Sequence, residues 1–281
     1  MKLIQKTFKI LELFLDHGDE LALEDISRLS EINKPTARRI ALTLVECGYL
    51  RQPVTRGKYS LGMKFLDYSG TIKMYNDIIR VAAPHLLQLQ HRVNESVTMA
   101  IWDGTKTALC QSFMADHPLR VVPDEGSRLV LHSTSVGKAI IAGIPDDELS
   151  KYLDLPLQRY TPNTITNLKM LRKHLNIVRR EGVAFDDEEY SLGIRGVGAV
   201  FKNEAGKVVG GVSILGPTVR ATRSRLKECV PHIIQCAREI SEELGYAEMP
   251  VNYSDDQRNE DRKGDGKWQE RNTESISSMR R

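Results

Sequence analysis

Cysteine is scarce in this 281-residue chain: Cys47, Cys110, Cys229 and Cys236 stand apart with no CxxC pair. That argues against a disulfide scaffold and against a zinc ribbon. Long apolar runs are missing too, and nothing approaches the roughly 18 residues that a membrane span needs. The amino end, MKLIQKTFKILELFLDHGDE, alternates charged with apolar residues and is unlike a signal peptide. A cytoplasmic protein without membrane contact is the expectation. A large charge of one sign is absent as well, since the formal net charge is only +3. Hydrophobic content of 41% and charged content of 27% give no sign of collagen, mucin or bulk disorder. There is no internal repeat and no GxSxG elbow, and no cofactor is expected. At this length two domains, each with its own core, are anticipated.

The net charge conceals an uneven distribution. Residues 1–32 hold four cations against seven acids, whereas residues 33–62 hold six cations (Lys34, Arg38, Arg39, Arg51, Arg56, Lys58) against Glu46 alone. A basic stripe confined to about thirty residues suits directed contact with a polyanion. It coincides with NKPTARRIALTLVECGYL. At 100° per residue, a helix here places Ala37, Ile40, Ala41, Leu44 and Val45 on one side, with Thr36, Arg39 and Thr43 opposite and Arg38 at the edge. Asn33 can cap this helix, Pro35 suits its first turn and Gly48 ends it.

Upstream, LIQKTFKILELFLDHG has apolar residues at 4, 8, 11, 14 and 15 before Gly18, and LEDISRLSE spaces Leu23, Ile26 and Leu29 helically with Glu24 and Asp25 in its first turn. Downstream, YLRQPVTRGKYSLG reads as two short strands joined around Pro53 to Gly57. Three helices followed by a basic hairpin spell a winged helix-turn-helix over residues 1–62. Residues 63–92 are predicted to be a helical linker broken near Pro84. From ESVTMAIWDGTKTALCQSF the period becomes strand-like around an Asp103-Gly104 turn. Further strands are expected at 119–122, 182–185, 196–202 and 207–215, and helices at 135–142, 146–152, 167–181 and 222–244. Residues 93–247 therefore form an α/β domain, and the whole is of the α+β class. Residues 248–281 lose almost all aliphatic content and read as a disordered tail.

Several blocks, taken together, resemble the IclR family of bacterial transcription regulators over about residues 1–247. NKPTARRIALTLVECGYL with YSLG is similar to the family's recognition helix and wing. NESV and LHSTSVGKAIIAG are similar to the opening of its effector domain, and GVAFDDEEYSLGIRGVGAVFKNEAGKVVGGVSILGP has its acidic loop, glycines and final strand in order. The resemblance implies a GAF-like C-terminal domain that binds a small metabolite, a linker that dimerises, and a homodimer or homotetramer. Ala22 stands where members often have a Ser or Thr cap, and Pro35 where a Ser is usual. Gly196 and Leu215 stand where some members carry Cys and Ser, which implies a roomier and less polar pocket.

For DNA, the residues themselves nominate Asn33, Lys34, Pro35, Thr36, Arg38, Arg39 and Thr43 on the third helix, and Arg51, Arg56 and Lys58 on the wing. Arg39 is the candidate for base readout, because a guanidinium can meet guanine with two hydrogen bonds. The other cations would mostly meet phosphate. One winged domain reads a short half-site, so a palindromic duplex operator and a symmetric dimer follow. For the effector, the resemblance implies contact by Ser135, Val136, Asp186, Gly196 and Ser213. Ser135 and Val136 precede GKAIIAG at an expected helix N-terminus, where N–H groups suit an anion, so a carboxylate is the first expectation. Repression of a catabolic operon is the expected output.

Other readings attach to the same residues. The basic helix could be a solvated face of a protein-binding module, and the run Asp186 to Glu189 a solvent-exposed one. His132, Ser133 and Asp186 could serve an acyl-transfer enzyme, but neighbours in a strand point to opposite faces, so no catalytic residue is expected. Cys229, His232 and Cys236 share a helical face without an evident fourth ligand, and no metal site is expected.

Overall fold

The structure, a computed structural model, describes residues 2–18, 20–52 and 57–247. The N-terminal part contains α1 (Lys2–Asp16), a short β1 (Leu21–Ala22), α2 (Leu23–Ser30), α3 (Lys34–Glu46), β2 (Leu50–Arg51) and β3 (Lys58–Leu61). The strands form one antiparallel sheet in the order β1-β3-β2. Ile10, Leu13, Phe14, Ile26, Ile40, Leu44, Leu50 and Tyr59 pack together beneath the helices. The strand β1 is unannounced in the sequence because two residues carry no period; its position is set by pairing Leu21 with Tyr59.

Helix α1 corrects the expected stripe. Its buried face is Ile10, Leu13 and Phe14, while Ile4, Phe8 and Leu15 are each about 60% exposed. The helix thus has two apolar faces: of the expected stripe, Leu11 and Phe14 lie against the core, while positions 4, 8 and 15 mark the outer face.

The linker differs from expectation as well. Two helices, α4 (Lys64–Thr71) and α5 (Lys73–Val93), meet at Ile72, whose φ of −82° and ψ of 73° stop the helical run. Pro84 lies within α5 without ending it. Pro84 is exposed, so the carbonyl it leaves without a donor lies on the side reached by water. The buried face of α5, Ile78, Ala82, Leu86, Leu89 and Val93, belongs to the core of the C-terminal part.

That part is built on a five-stranded antiparallel sheet of β4 (Ser96–Trp102), β5 (Thr107–Phe113), β6 (Ala184–Asp187), β7 (Ile194–Lys202) and β8 (Val208–Pro217), in the order β5-β4-β8-β7-β6. Period-2 alternation divides its side chains. Val97, Met99, Val197, Ala199, Phe201, Val212 and Ile214 face α5 and α8 (Arg223–Glu243). The other face carries α6 (Ser135–Ala142) and α7 (Leu168–Glu181), joined through Ala139, Ile141, Leu171, Leu175 and Val178. The layers are therefore helices, sheet, helices.

Two further expectations fail in this part. Residues 119–122 form no strand, since the free edge of β5 is taken by Gly126 and Ser127, which pair with Leu109. Residues 146–152 hold only a 3-10 turn at Leu149–Lys151. The carbonyls of Ile144 and Asp146, which would start an α-helix there, accept instead from Arg179 and Arg172 of α7, each at 2.9 Å. The strand expected at 182–185 begins two residues later, at Ala184. Pro231, like Pro84, is exposed within a continuous helix. The turn from Pro53 to Arg56 and the tail from 248 lie outside the described residues.

Candidate functional site

The third helix carries the first site. Asn33 Oδ1 accepts the Thr36 N–H at 3.0 Å, and Gly48 follows the helix at a φ of +80°, a left-handed conformation that glycine adopts without cost. Ala37, Ile40, Ala41 and Leu44 are buried, which fixes the helix to the core. Asn33, Lys34, Pro35, Arg38, Arg39 and Thr43 are exposed, and Thr36 is half-buried. Leu42, which the sequence argument passed over, is exposed among them.

The cations differ in how free they are. Lys34 is ion-paired with Glu24 of α2, and Arg51 Nε donates to Ser60 Oγ at 2.8 Å across the hairpin. Lys58 is exposed at the start of β3. Arg38 and Arg39 make no ion pair among the described residues. Thr43 Oγ1 donates back to the Arg39 carbonyl at 3.0 Å. Arg56 lies outside the described residues.

The second site is assembled where α6 meets the sheet. Thr134 caps α6 by accepting the Gly137 N–H at 3.2 Å, so Ser135 and Val136 form its first turn. This turn lies against the strands because the strands lack side chains there. A Cβ on Gly198 would stand 2.6 Å from the Val136 nitrogen, and one on Gly196 would stand 2.5 Å from Leu215 Cδ2 and 3.2 Å from Ser135 Oγ. Ser135 Oγ lies 3.2 Å from Ser213 Oγ, with both residues buried. Sheet register sets Ser213 beside Gly198 and Asp186 beside Gly196. The structure thus brings Ser135, Val136, Asp186, Gly196 and Ser213 together. Leu215 leans into the space that Gly196 leaves, which opposes the roomier pocket implied by sequence.

The acidic run is not a solvated one. Asp187 accepts from Arg195 Nε at 2.5 Å and from Arg223, and Glu188 accepts from Arg195 at 3.0 Å. Asp186 and Glu189 point the other way and are buried at 4% and 6% exposure. Glu189 is paired with Lys138, a fully buried lysine one turn along α6. Burial raises the Glu189 carboxyl above its usual range, against the pull of Lys138. Asp186 Oδ1 accepts the Glu189 N–H at 2.8 Å, yet burial pushes its pKa up to about 7. Lys138 also acts on His174 of α7, whose imidazole burial holds down at about 4. Sequence reasoning missed this group; the available signal was one lysine inside the otherwise uncharged SVGKAIIA.

No triad forms. His132 Nε2 donates to the Gln158 carbonyl at 2.9 Å, and burial holds its imidazole below the usual range, hence neutral. Among the described residues Ser133 Oγ has no hydrogen-bond partner, and Asp186 is engaged as above. Cys229 and Cys236 are packed into the core between α5 and α8, where burial pushes the Cys236 thiol up to about 12. His232 stands beside Arg92. Among the described residues no group of three His, Cys, Asp or Glu could hold a metal, and no helix is long and apolar enough to cross a membrane.

An exposed arginine pair on a capped helix, joined to a domain whose helix N-terminus rests on glycine strands, has relatives. The model of the bacterial transcriptional regulator IclR C-terminal domain matches residues 72–242, and that of the IclR helix-turn-helix domain matches residues 3–53. The chain belongs to the IclR family. It is 29% identical over 248 residues to the HTH-type transcriptional regulator KdgR of Escherichia coli, covering 88% of this chain and 94% of that one. Identity to the Escherichia coli transcriptional repressor IclR is 26% over 249 residues, or 88% and 90% of the two chains. The crystal structure of the Thermotoga maritima IclR is 30% identical, with a TM-score of 0.66 over 88% of this chain and all of that one. An IclR homolog from Microbacterium hydrocarbonoxydans, solved as a complex with 4-hydroxybenzoate, shares the fold at 23% identity and a TM-score of 0.74, covering 86% and 98% of the two chains. As an IclR-family member the chain is a DNA-binding transcriptional regulator, not an enzyme.

Proposed function

We propose that this IclR-family regulator occupies a palindromic operator as a symmetric homodimer or homotetramer, represses a catabolic operon, and is released by a small carboxylate. The domains divide as 1–62 for DNA, 63–92 as linker, 93–247 for the effector and 248–281 as tail. Arg39, with Thr36 and Thr43, reads bases, while Asn33, Lys34, Pro35, Arg38, Arg51, Arg56 and Lys58 meet the backbone. The supporting observation is that Arg38 and Arg39, without ion pairs among the described residues, stand on a helix whose opposite side is locked into a core. The exposed face of α1, Leu3, Ile4, Phe8 and Leu15, supports pairing with a second copy.

For the effector, Ser135, Val136, Asp186, Gly196 and Ser213 offer two hydroxyls and the free N–H groups of a helix start. With its pKa pushed up to about 7, Asp186 is protonated in about half of the molecules near neutral pH, and in that form it offers an incoming carboxylate a donor rather than a like charge. The Microbacterium homolog's 4-hydroxybenzoate is itself such an acid. The test is anisotropy of labelled DNA from upstream of the gene. Wild type binds with a steep salt slope, Arg39→Ala loses specific binding, and one of a panel of organic and sugar acids releases the DNA. Absence of binding to any flanking DNA in dilute buffer overturns the proposal.

A further inference from the structure

A cleft of about 490 Å³ opens elsewhere in the C-terminal domain. It is bounded by the β4–β5 turn at Thr105–Thr107, by the segment Arg128–His132, and by Lys151–Asp154 with Gln158 and Tyr160. None of Ser135, Val136, Asp186, Gly196 and Ser213 lines it. Its size falls within the range of small-molecule pockets.

The cleft is polar and carries more positive than negative charge. Lys106, Arg128 and Lys151 line it against the single carboxylate of Asp154. Lys151 is paired with Glu148 at 3.3 Å, but Lys106 and Arg128 make no ion pair among the described residues. The nearby Asp103 is occupied by its own turn, its Oδ1 accepting from the Thr105 and Lys106 N–H groups at 2.7 Å. The walls are fixed. A bridge pairs Arg128 with Ala108 of β5, and Thr107 Oγ1 donates to the Leu129 carbonyl at 3.2 Å. Two tyrosines stand at the sides: Tyr152 meets Trp102 edge-on at 5.7 Å, and Tyr160 lies 5.9 Å from the His132 ring. The neutral His132, donating from Nε2, presents Nδ1 as an acceptor.

We propose that this cleft is a second small-molecule site, taking a ring-bearing organic acid whose carboxylate is held by Arg128 and Lys106 and whose ring lies between Tyr152 and Tyr160. Unpaired cations supply charge-assisted hydrogen bonds to a carboxylate. The tyrosines supply flat amphipathic walls suited to an aromatic ring or to the apolar face of a sugar acid. The site does not depend on the effector reading above.

Trp102 reports on it, since the other tryptophan, Trp268, lies outside the described residues and can be replaced. Full-length Trp268→Phe protein is titrated with benzoate, galacturonate and inorganic phosphate while Trp102 fluorescence is followed. We expect a saturable change with benzoate if the ring is aromatic, or with galacturonate if it is a sugar acid, and a weaker one with phosphate. Arg128→Ala should weaken binding roughly tenfold or more, and Arg128→Lys should restore part of it. Arg128 is exposed, so both variants keep the fold, which circular dichroism checks. The proposal is overturned if neither acid gives a saturable change, if phosphate binds as tightly as both, or if Arg128→Ala binds with wild-type affinity, which would place the ligand elsewhere.

Discussion

Lys138 Nζ is wholly buried and donates to Glu189 Oε1, tying the second turn of α6 to the loop that follows β6. Both ends of this tie border the candidate effector site, because Ser135 lies one turn before Lys138 and Asp186 three residues before Glu189. A buried pair of this kind contributes little over an apolar substitute, but removal of one partner strands the other. We expect Lys138→Met and Glu189→Leu each to lose about 3–5 kcal/mol in urea unfolding, and the double variant to lose less than either. Additive losses in the double variant would refute a coupled pair.

Asp186 and His174 give the domain opposing pH dependences. Asp186 rises from 3.8 to about 7, so the folded protein holds a proton that the unfolded chain has released. Its contribution to stability is full below 3.8 and is lost as pH rises through 7. His174 falls from 6.5 to about 4, so its contribution is full above 6.5 and is lost as pH falls through 4. Each displacement corresponds to roughly 3–4 kcal/mol at 1.36 kcal/mol per pH unit. Asp186→Asn should therefore gain stability over wild type as pH is raised from 4 to 8, and His174→Asn should remove the acid-side loss. Urea midpoints at pH 4.5, 6 and 8 check this, and parallel profiles for all three proteins would exclude it.

At Gly198 the backbone of α6 lies directly against the sheet, 2.6 Å from where a Cβ would stand. A methyl group there meets the backbone nitrogen of Val136, which cannot rotate away. Gly198→Ala should cost about 1–3 kcal/mol by overpacking and should weaken any ligand that uses the first turn of α6. Thermal shift with and without the releasing acid measures both, and an unchanged melting temperature would contradict the contact.

The cap of α3 separates stability from DNA contact. Asn33→Ala should cost about 1 kcal/mol, whereas Asn33→Asp should keep the cap and favour the helix dipole. Facing phosphate, the new carboxylate should still weaken operator binding. An Asn33→Asp protein as stable as wild type but with unimpaired binding would remove Asn33 from the interface.

Much of this was legible in the residues. The cap at Asn33, the buried row from Ala37 to Leu44, and the helix at Ser135–Ala142 follow from period and capping chemistry, which act locally. The acidic loop was noticed but its partners were not, because Lys138 and Glu189 are 51 residues apart and only the fold brings them together. Residues 146–152 show the same limit in reverse: a local helical pattern yields to arginines contributed by a distant helix. On α1 the pattern was genuine, but a helix with two apolar faces gives periodicity no means of choosing the inner one.

The 21 residues of α5 make a rod about 31 Å long at 1.5 Å per residue, seated by its inner face in the core beneath the sheet. A tilt of about 10° around its midpoint would carry the Lys73 end through roughly 3 Å, close to the rise of one base pair. Leverage of that size would turn sub-ångström repacking around Leu86 into a displacement of roughly 3 Å where α5 meets α4.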